Sequence, residues 1–263
     1  MRKLIAPFLI IASLGIGDAA LAQERRSASG KPTVVLVHGA FADSASWNGV
    51  IGRLRRNGYP VVAAANPLRS LEGDARYVAA LVKAVPGQVI LVGHSYGGSV
   101  ISEAAAGATN VRALVFVAGY APDVADSAAS LSGRFPGGTL GETLDPPVLQ
   151  PDGGKDLYIA QAKFWRQFAE DVPAREAELM AVGQRPVTEA ALSDPARSPS
   201  WKSIPSWFIW GSRDRNIAAA LHAFMAKRAG AREAIEVKGA SHVVMTSHPA
   251  EVAALIERAA GAD

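Results

Sequence analysis

Short apolar runs rich in valine and isoleucine alternate along this chain with patterns typical of amphipathic helices. Strands that are apolar on both faces are typical of a parallel sheet that helices cover on each side. The runs predict strands at Thr33–Val37, Pro60–Ala65, Gln88–Val92, Arg112–Ala118, Ser206–Trp210 and Ala234–Lys238. The helical patterns predict helices at Trp47–Asn57, Glu72–Val85, Gly97–Ala106, Ile217–Ala229 and Pro249–Ala260. The sequence therefore predicts an α/β fold with a mostly parallel sheet flanked by helices.

The alternation breaks once, between Tyr120 and Pro205, where glycine- and proline-rich turns precede two helical stretches at Tyr158–Glu170 and Ala174–Val182. We interpret residues 121–204 as a helical cap insertion within a domain that spans 33–263. Its six aromatic residues supply more apolar surface than a solvent-facing insertion needs: Phe135, Tyr158, Phe164, Trp165, Phe168 and Trp201. Those that face the site should line an enclosed, mostly apolar pocket. The alternative is that they only pack the insertion onto the core, in which case they say nothing about selectivity.

The first 22 residues have the three parts of a secretory signal peptide. Arg2 and Lys3 precede an apolar run from Leu4 to Ile16, and Ala20–Ala22 supplies an A-x-A cleavage site. The run is too short to span a bilayer, so no stable membrane anchor is expected. The sequence predicts export to the periplasm or medium, with cleavage before Gln23 and a flexible arm over 23–32.

Charge and composition exclude several classes of function. The 27 basic and 24 acidic side chains give a formal charge of +3 and form no basic block, so nucleic acid is not an expected partner. The 263-residue chain contains no cysteine, which excludes thiol nucleophiles, disulfides and thiolate metal sites. The chain also lacks the spacing of a zinc site and any cofactor motif, so neither a metal nor a cofactor is expected.

The third predicted strand runs directly into Gly93–Gly98 (GHSYGG), and a helical pattern starts at once. This is a G-x-S-x-G motif in a strand-turn-helix setting, where the glycines allow a sharp turn that exposes the serine. The alternative is a dinucleotide-binding turn, but no G-x-G-x-x-G occurs in the chain. Ser95 is therefore the predicted nucleophile.

A serine hydroxyl is a weak nucleophile until a base takes its proton, and that base is oriented by a carboxylic acid side chain. Of the five histidines, His242 lies in a loop after the last predicted strand, where a triad base belongs. His38 and His94 are expected to support the turns they occupy, His222 to be a surface or packing residue of a helix, and His248 to be structural.

The acid should lie between serine and histidine in the chain. Asp214 follows the strand that ends at Trp210 and is the favoured candidate. Asp123 follows the preceding strand and is a real competitor. For either, the alternative is an aspartate that caps a neighbouring helix.

The loop after the first strand, Val37–Phe41, should face the nucleophile. We predict that the backbone N–H groups of Ala40 and Tyr96 form an oxyanion hole. A plain glycine turn would have the same local sequence, and only the nearby GHSYGG motif favours the functional interpretation.

With these motifs in place, the chain resembles the α/β-hydrolase superfamily from Thr33 to Ala260. The residues His38–Ala40, Trp47 and Gly93–Gly98 resemble the branch of salicylate-type methylesterases, hydroxynitrile lyases and uncharacterised bacterial hydrolases. The insertion resembles the bacterial members through Phe168–Pro173 and Gln184–Pro186. The resemblance implies an α/β-hydrolase fold and says little about the substrate.

Two departures from the branch bear on the reaction and on the size of the sheet, and the first disfavours lyase chemistry. Its hydroxynitrile lyases have a lysine after the catalytic histidine and a threonine after the first-strand histidine, whereas this chain has Val243 and Gly39. Residues 23–32 are too few for the extra leading strands of larger members, so a six-stranded sheet is expected.

The sequence favours a serine esterase for a small-molecule ester. The alternatives are a C–C bond or lactone hydrolase with the same triad, and a non-catalytic ligand-binding protein.

Overall fold

The computed structural model describes residues 30–262. The predicted signal peptide and residues 23–29 of the predicted arm lie outside this range. Residues 30–262 contain nine strands, in chain order β1 (Thr33–Val37), β2 (Val61–Ala64), β3 (Val89–His94), β4 (Val111–Val117), β5 (Val148–Leu149), β6 (Lys155–Leu157), β7 (Val187–Thr188), β8 (Ser206–Gly211) and β9 (Glu233–Val237).

Helices separate most of these strands. In chain order they are α1 (Asn48–Arg56), α2 (Leu71–Ala84), α3 (Tyr96–Ala104), α4 (Ala128–Ser132), α5 (Gln161–Phe168), α6 (Ala174–Gly183), α7 (Glu189–Ser193), α8 (Ala219–Arg228), α9 (Val244–Ser247) and α10 (Pro249–Gly261). Short 3₁₀ turns occupy Ser44–Trp47, Leu140–Thr143 and Ser200–Lys202.

Six strands form one sheet in the order β2-β1-β3-β4-β8-β9, and every neighbouring pair is parallel. All six residues of β3 and all six of β8 are buried, as expected for central strands covered by helices on both faces. Phe116 and Phe208 stack across β4 and β8 with ring centroids 4.5 Å apart. The prediction of a six-stranded α/β-hydrolase-type sheet is confirmed, and the sheet is parallel throughout.

The register of the strands brings four loops to one edge. Val37 pairs with Gly93, His94 with Val117, and Gly211 with Val237. Because all strands run in the same direction, the loops after β1, β3, β8 and β9 leave the sheet at its carboxyl edge, where ligands bind in open α/β sheets.

The chain between β4 and β8 contains α4 to α7 and a separate antiparallel sheet in the order β5-β6-β7. The sequence did not indicate this small sheet. Its strands have only two or three residues each, which is too short for an alternating pattern to be recognised.

Candidate active site

Ser95 occupies the turn between β3 and α3 in a strained conformation. Its φ of 53° and ψ of −124° are rare for a residue with a side chain, and only 7% of the residue is exposed. A Cβ at Gly93 would lie 2.4 Å from the carbonyl oxygen of Gly97, so only glycine allows so tight a turn. Tight packing around the turn holds Ser95 at the amino end of a helix.

The loop after β1 packs directly against this turn. A Cβ at Gly39 would lie 2.6 Å from Cβ of Ser95 and 3.1 Å from the backbone nitrogen of Tyr96. Ala40 follows Gly39, and Tyr96 is the first residue of α3, where N–H groups have no partner within the helix. The structure thus places both predicted oxyanion donors next to Ser95, and their role remains a prediction.

Asp214 and His242 form a hydrogen bond at the carboxyl edge of the sheet. His242 Nδ1 lies 2.7 Å from Asp214 Oδ2, and both side chains are fully buried. The other oxygen, Oδ1, accepts hydrogen bonds from the backbone N–H groups of Asn216 at 2.8 Å and Ile217 at 2.9 Å. Asp214 is therefore fixed by its own loop and by the histidine.

Two opposing effects act on the ionisation of Asp214. Burial disfavours the charged carboxylate, but the charge of His242 and the hydrogen bonds from His222 and His242 favour it more. The balance holds the pKa of Asp214 below its usual range. An ionised Asp214 accepts a hydrogen bond from Nδ1–H of His242, so Nε2 of the neutral ring carries the lone pair that can accept a proton.

Nε2 of His242 is buried and has no hydrogen-bond partner among the residues that the structure describes. The structure therefore joins His242 to Asp214 but does not join Ser95 to His242 by a direct hydrogen bond. Hydrogen bonds between a nucleophile and its base are often loose in unliganded enzymes and shorten when substrate binds.

Asp123, the competing acid, lies elsewhere. Its carboxylate forms an ion pair with Lys202 at 2.5 Å and accepts a hydrogen bond from the N–H of Val124. The hydrogen bond with Lys202 lowers the pKa of Asp123. Since Asp123 is bound to a surface lysine and Asp214 to His242, the geometry favours Asp214 over its competitor.

Two further histidines contact this pair. His94 Nε2 lies 3.2 Å from the carbonyl oxygen of His242, and burial holds the pKa of His94 well below 6.5. His222 Nε2 lies 3.1 Å from Asp214 Oδ2. The sequence interpretation of His222 as a surface or packing residue missed this contact. The sequence carried a signal for the burial of His222 but not for its partner, because His222 shares a helix face with the apolar residues Met225 and Ala226, which are also buried.

A cavity of about 280 Å³ opens beside Ser95. Its other lining residues are Ala40, Phe41, Tyr120, Ala128, Ala129, Ser132, Gly138, Leu140, Gly141, Leu144, Leu192 and Asn216. None of these residues carries a charge. The cavity is therefore neutral and largely aliphatic, with a few polar groups at Tyr120, Ser132 and Asn216.

The expectation that aromatic residues of the insertion line the pocket is wrong for this cavity, since none of the six is among its lining residues. Phe164 and Phe168 are fully buried with ring centroids 4.9 Å apart, and the ring of Phe168 lies 5.1 Å from that of His242. They pack the insertion onto the sheet edge, and leucines line the cavity in their place.

Residues 30–262 contain no cluster of three or more histidine, aspartate or glutamate side chains that could hold a metal ion. Within the same range, no helix combines the length and hydrophobicity required to span a bilayer.

Comparisons with known proteins agree with this architecture. The alpha/beta hydrolase nvfD of Aspergillus novofumigatus is 28% identical over 257 residues, which cover 88% of this chain and 97% of that protein. The esterase PIR7B of Oryza sativa subsp. japonica is 26% identical over 254 residues, covering 86% of this chain and 94% of that protein. The crystal structure of polyneuridine aldehyde esterase superposes with a TM-score of 0.75 at 19% identity and covers 87% of this chain and 98% of that chain.

Residues 34–255 match the family model described as the alpha/beta hydrolase family. This match spans most of the 263-residue chain and includes the turn at Ser95, the loop of Asp214 and the loop of His242. The chain therefore belongs to the alpha/beta hydrolase family.

Proposed function

We propose that this protein is a serine hydrolase that cleaves small, uncharged carboxylic esters through Ser95, His242 and Asp214. The observation that carries the proposal is the 2.7 Å hydrogen bond between His242 and a buried Asp214 at the sheet edge where the strained Ser95 lies. A base whose Nδ1 is held by a carboxylate and whose Nε2 is free has the arrangement that activates a serine.

The reaction runs in two halves. Ser95 Oγ attacks the acyl carbon while its proton moves to Nε2 of His242, and the N–H groups of Ala40 and Tyr96 stabilise the resulting oxyanion. Collapse of this intermediate breaks the ester bond, and His242 returns the proton to the departing alcohol. Water then attacks the acyl-enzyme while His242 takes its proton. Collapse of this second intermediate breaks the bond to Ser95 Oγ, His242 returns the proton to that oxygen, and the carboxylic acid leaves. Asp214 stabilises the imidazolium in both halves.

The cavity supports the substrate class. A charged group loses its hydration in a site without a counter-charge, and no lining residue of this cavity supplies one. A volume of about 280 Å³ suits a short acyl chain or a single ring and lies just below the range of about 300–1,000 Å³ for sites that bind drug-sized ligands. Relatives named as esterases are consistent with this chemistry.

Hydrolysis of 4-nitrophenyl acetate and butyrate tests the proposal. Ser95→Ala should lower kcat by about a thousandfold or more without a change in Tm. Ser102→Ala is a matched control, because this serine lies on α3, is buried and has no hydrogen-bond partner for its hydroxyl among the described residues. Equal activity in Ser95→Ala and wild type would remove Ser95 from the mechanism.

We also propose that the enzyme acts outside the cytoplasm, on the strength of the Arg2–Ala22 pattern alone. The intact mass of protein recovered from the periplasm or medium should correspond to a chain that begins at Gln23. Exported protein that retains Met1, or protein found only in the cytosol, would contradict export.

A further inference from the structure

His222 is a buried polar side chain that the reaction described above does not use. It lies on α8, its side chain is 1% exposed, and its Nε2 is 3.1 Å from Oδ2 of Asp214. His242 contacts the same oxygen through Nδ1 at 2.7 Å. One carboxylate oxygen thus accepts two imidazole N–H groups, while the other accepts two backbone N–H groups.

This contact determines which ring nitrogen of His222 carries the hydrogen. An ionised carboxylate can only accept a hydrogen bond, so Nε2 of His222 must carry the hydrogen. The ring is also held in its plane, because it stacks on Trp210 with centroids 5.7 Å apart and planes 19° from parallel. The indole Nε1 of Trp210 in turn donates to Glu236 Oε2 at 3.1 Å.

The charged and titratable groups around His222 come from several elements. Asp214 faces it from the loop after β8, Glu236 from β9 and His242 from the loop after β9. His94 and Tyr120 face Asp214 from the ends of β3 and β4. Burial is the largest effect on His222 and lowers its pKa, although the hydrogen bond to Asp214 acts in the opposite direction. Burial therefore favours the neutral form of His222.

We propose that His222 is a positioning residue that acts through Asp214: its Nε2–H shares the carboxylate oxygen with His242 and so limits how strongly that carboxylate attracts the proton on the base. This inference rests on the proposed serine-hydrolase function. Without the hydrogen bond from His222, more of the negative charge of Asp214 acts on His242. The imidazolium is then stabilised to higher pH, and the carboxylate is free to rotate away from His242.

The pH profile of kcat/KM measures this effect directly. His222→Phe removes the N–H donor and keeps a ring against Trp210. Its acid limb should move upward by about 0.5 to 1 pH unit, and kcat should fall by about tenfold with KM little changed. His222→Gln can place an amide N–H near the position of Nε2, so its acid limb should stay within about 0.2 pH unit of wild type.

Leu221→Val is the matched control for packing. Leu221 is buried on the same helix and has no polar group with which to bind Asp214. This variant should lose stability without moving the acid limb. An acid limb that is unchanged in His222→Phe, or moved equally in His222→Phe, His222→Gln and Leu221→Val, would overturn the proposal.

A second measurement separates this inference from the proposed function. The titration of His242, followed by ¹⁵N NMR, does not depend on turnover. If no ester is hydrolysed, the proposed function fails, and the positioning role is judged by the NMR titration alone. An upward shift of the His242 midpoint in His222→Phe but not in His222→Gln supports it, and identical midpoints in all variants contradict it. If His222→Phe does not fold, failure of His222→Gln to keep the wild-type midpoint is the contradicting result.

Discussion

The carboxyl edge of the main sheet and the insertion between β4 and β8 are built in opposite ways. At the sheet edge, Ser95, Asp214 and His242 are buried and held by strands, tight turns and hydrogen bonds. The insertion uses short elements and exposes several large apolar side chains, among them Leu149 at 73% and Val182 at 72%. Under the proposed function, we expect substitutions at the sheet edge to change the rate of the chemical step and substitutions in the insertion to change which substrates are accepted.

The two regions meet at the cavity beside Ser95. The sheet-edge loops contribute Ala40, Phe41 and Ser95, whereas Leu140, Leu144 and Leu192 come from the insertion. The N–H of Phe41 also donates to the carbonyl of Arg185 at 2.9 Å, which ties the insertion to the loop after β1. Substitutions in the two regions should therefore have separable effects.

The largest expected effect on turnover comes from substitution of Asp214, the proposed acid of the triad. Asp214→Asn should lower kcat by about 10³- to 10⁴-fold, because an amide neither fixes the tautomer of His242 nor stabilises its charged form. Asp123→Asn, which alters only a surface ion pair, should lower activity less than twofold. Steady-state kinetics on one ester compares the two variants, and the reverse order of effects would transfer the acid role to Asp123.

The next largest effect is on stability, where an added Cβ would collide with closely packed backbone atoms. Gly93→Ala should reduce the free energy of unfolding by about 3 kcal/mol, since its Cβ would collide with the carbonyl of Gly97. Gly183→Ala, at the end of α6 in the insertion, has no atom within 4 Å of its added Cβ and should be neutral or slightly stabilising. Urea unfolding measures both, and equal losses would refute the contrast between the regions.

Selectivity for the length of the acyl chain should depend on the side chains of the insertion that line the cavity. Wild type should prefer acetyl and butyryl over octanoyl and palmitoyl esters of one leaving group, without activation by an oil-water interface. Leu144→Ala should raise kcat/KM for octanoate relative to acetate by about tenfold, because it removes cavity-lining methyl groups. Leu149→Ala, on an exposed leucine outside the cavity, should leave the preference unchanged. A wild-type optimum at palmitoyl would contradict this assignment.

The smallest expected effect is on the pH dependence of stability, and it arises in the sheet region. Burial lowers the pKa of His38, His94 and His222 below 6.5 in the folded chain. Below about pH 6.5 the unfolded chain binds protons that the folded chain does not, so the free energy of unfolding should decrease as pH falls.

We expect a loss of about 1 to 3 kcal/mol between pH 8 and pH 5.5 in urea unfolding. The lowered pKa of Asp214 acts below the carboxyl value of 3.8, outside this window, whereas the raised pKa of Asp74 acts above 3.8 and in the opposite direction to the histidines. His222→Gln, which lacks one titrating ring, should show a smaller loss. A free energy of unfolding that stays constant over this range would show that these histidines ionise alike in both states.

The two regions also differ in how well the sequence predicted them. The six main strands were predicted to within a few residues, because β-branched apolar runs such as Thr33–Val37 have few alternatives to a buried strand. In the insertion, β5, β6 and β7 are too short to leave a pattern, and none of the six aromatic residues lines the cavity beside Ser95.

Within the candidate site, the GHSYGG motif located Ser95 because its glycines are required by the turn itself. The choice between Asp214 and Asp123 needed the three-dimensional structure, since both follow strands at the same edge. The contact of His222 with Asp214 joins residues eight apart through a loop and the following helix, a geometry that no local motif encodes.

Covalent labelling tests the central claim, an activated serine at position 95, most directly. The folded wild-type protein should react with a fluorophosphonate probe, gain the mass of one phosphonyl group, and carry it on the peptide that contains Ser95. Ser95→Ala should remain unlabelled under the same conditions, and Asp214→Asn should react far more slowly. A folded wild-type protein that is not labelled, or a Ser95→Ala variant labelled at the wild-type rate, would contradict the account.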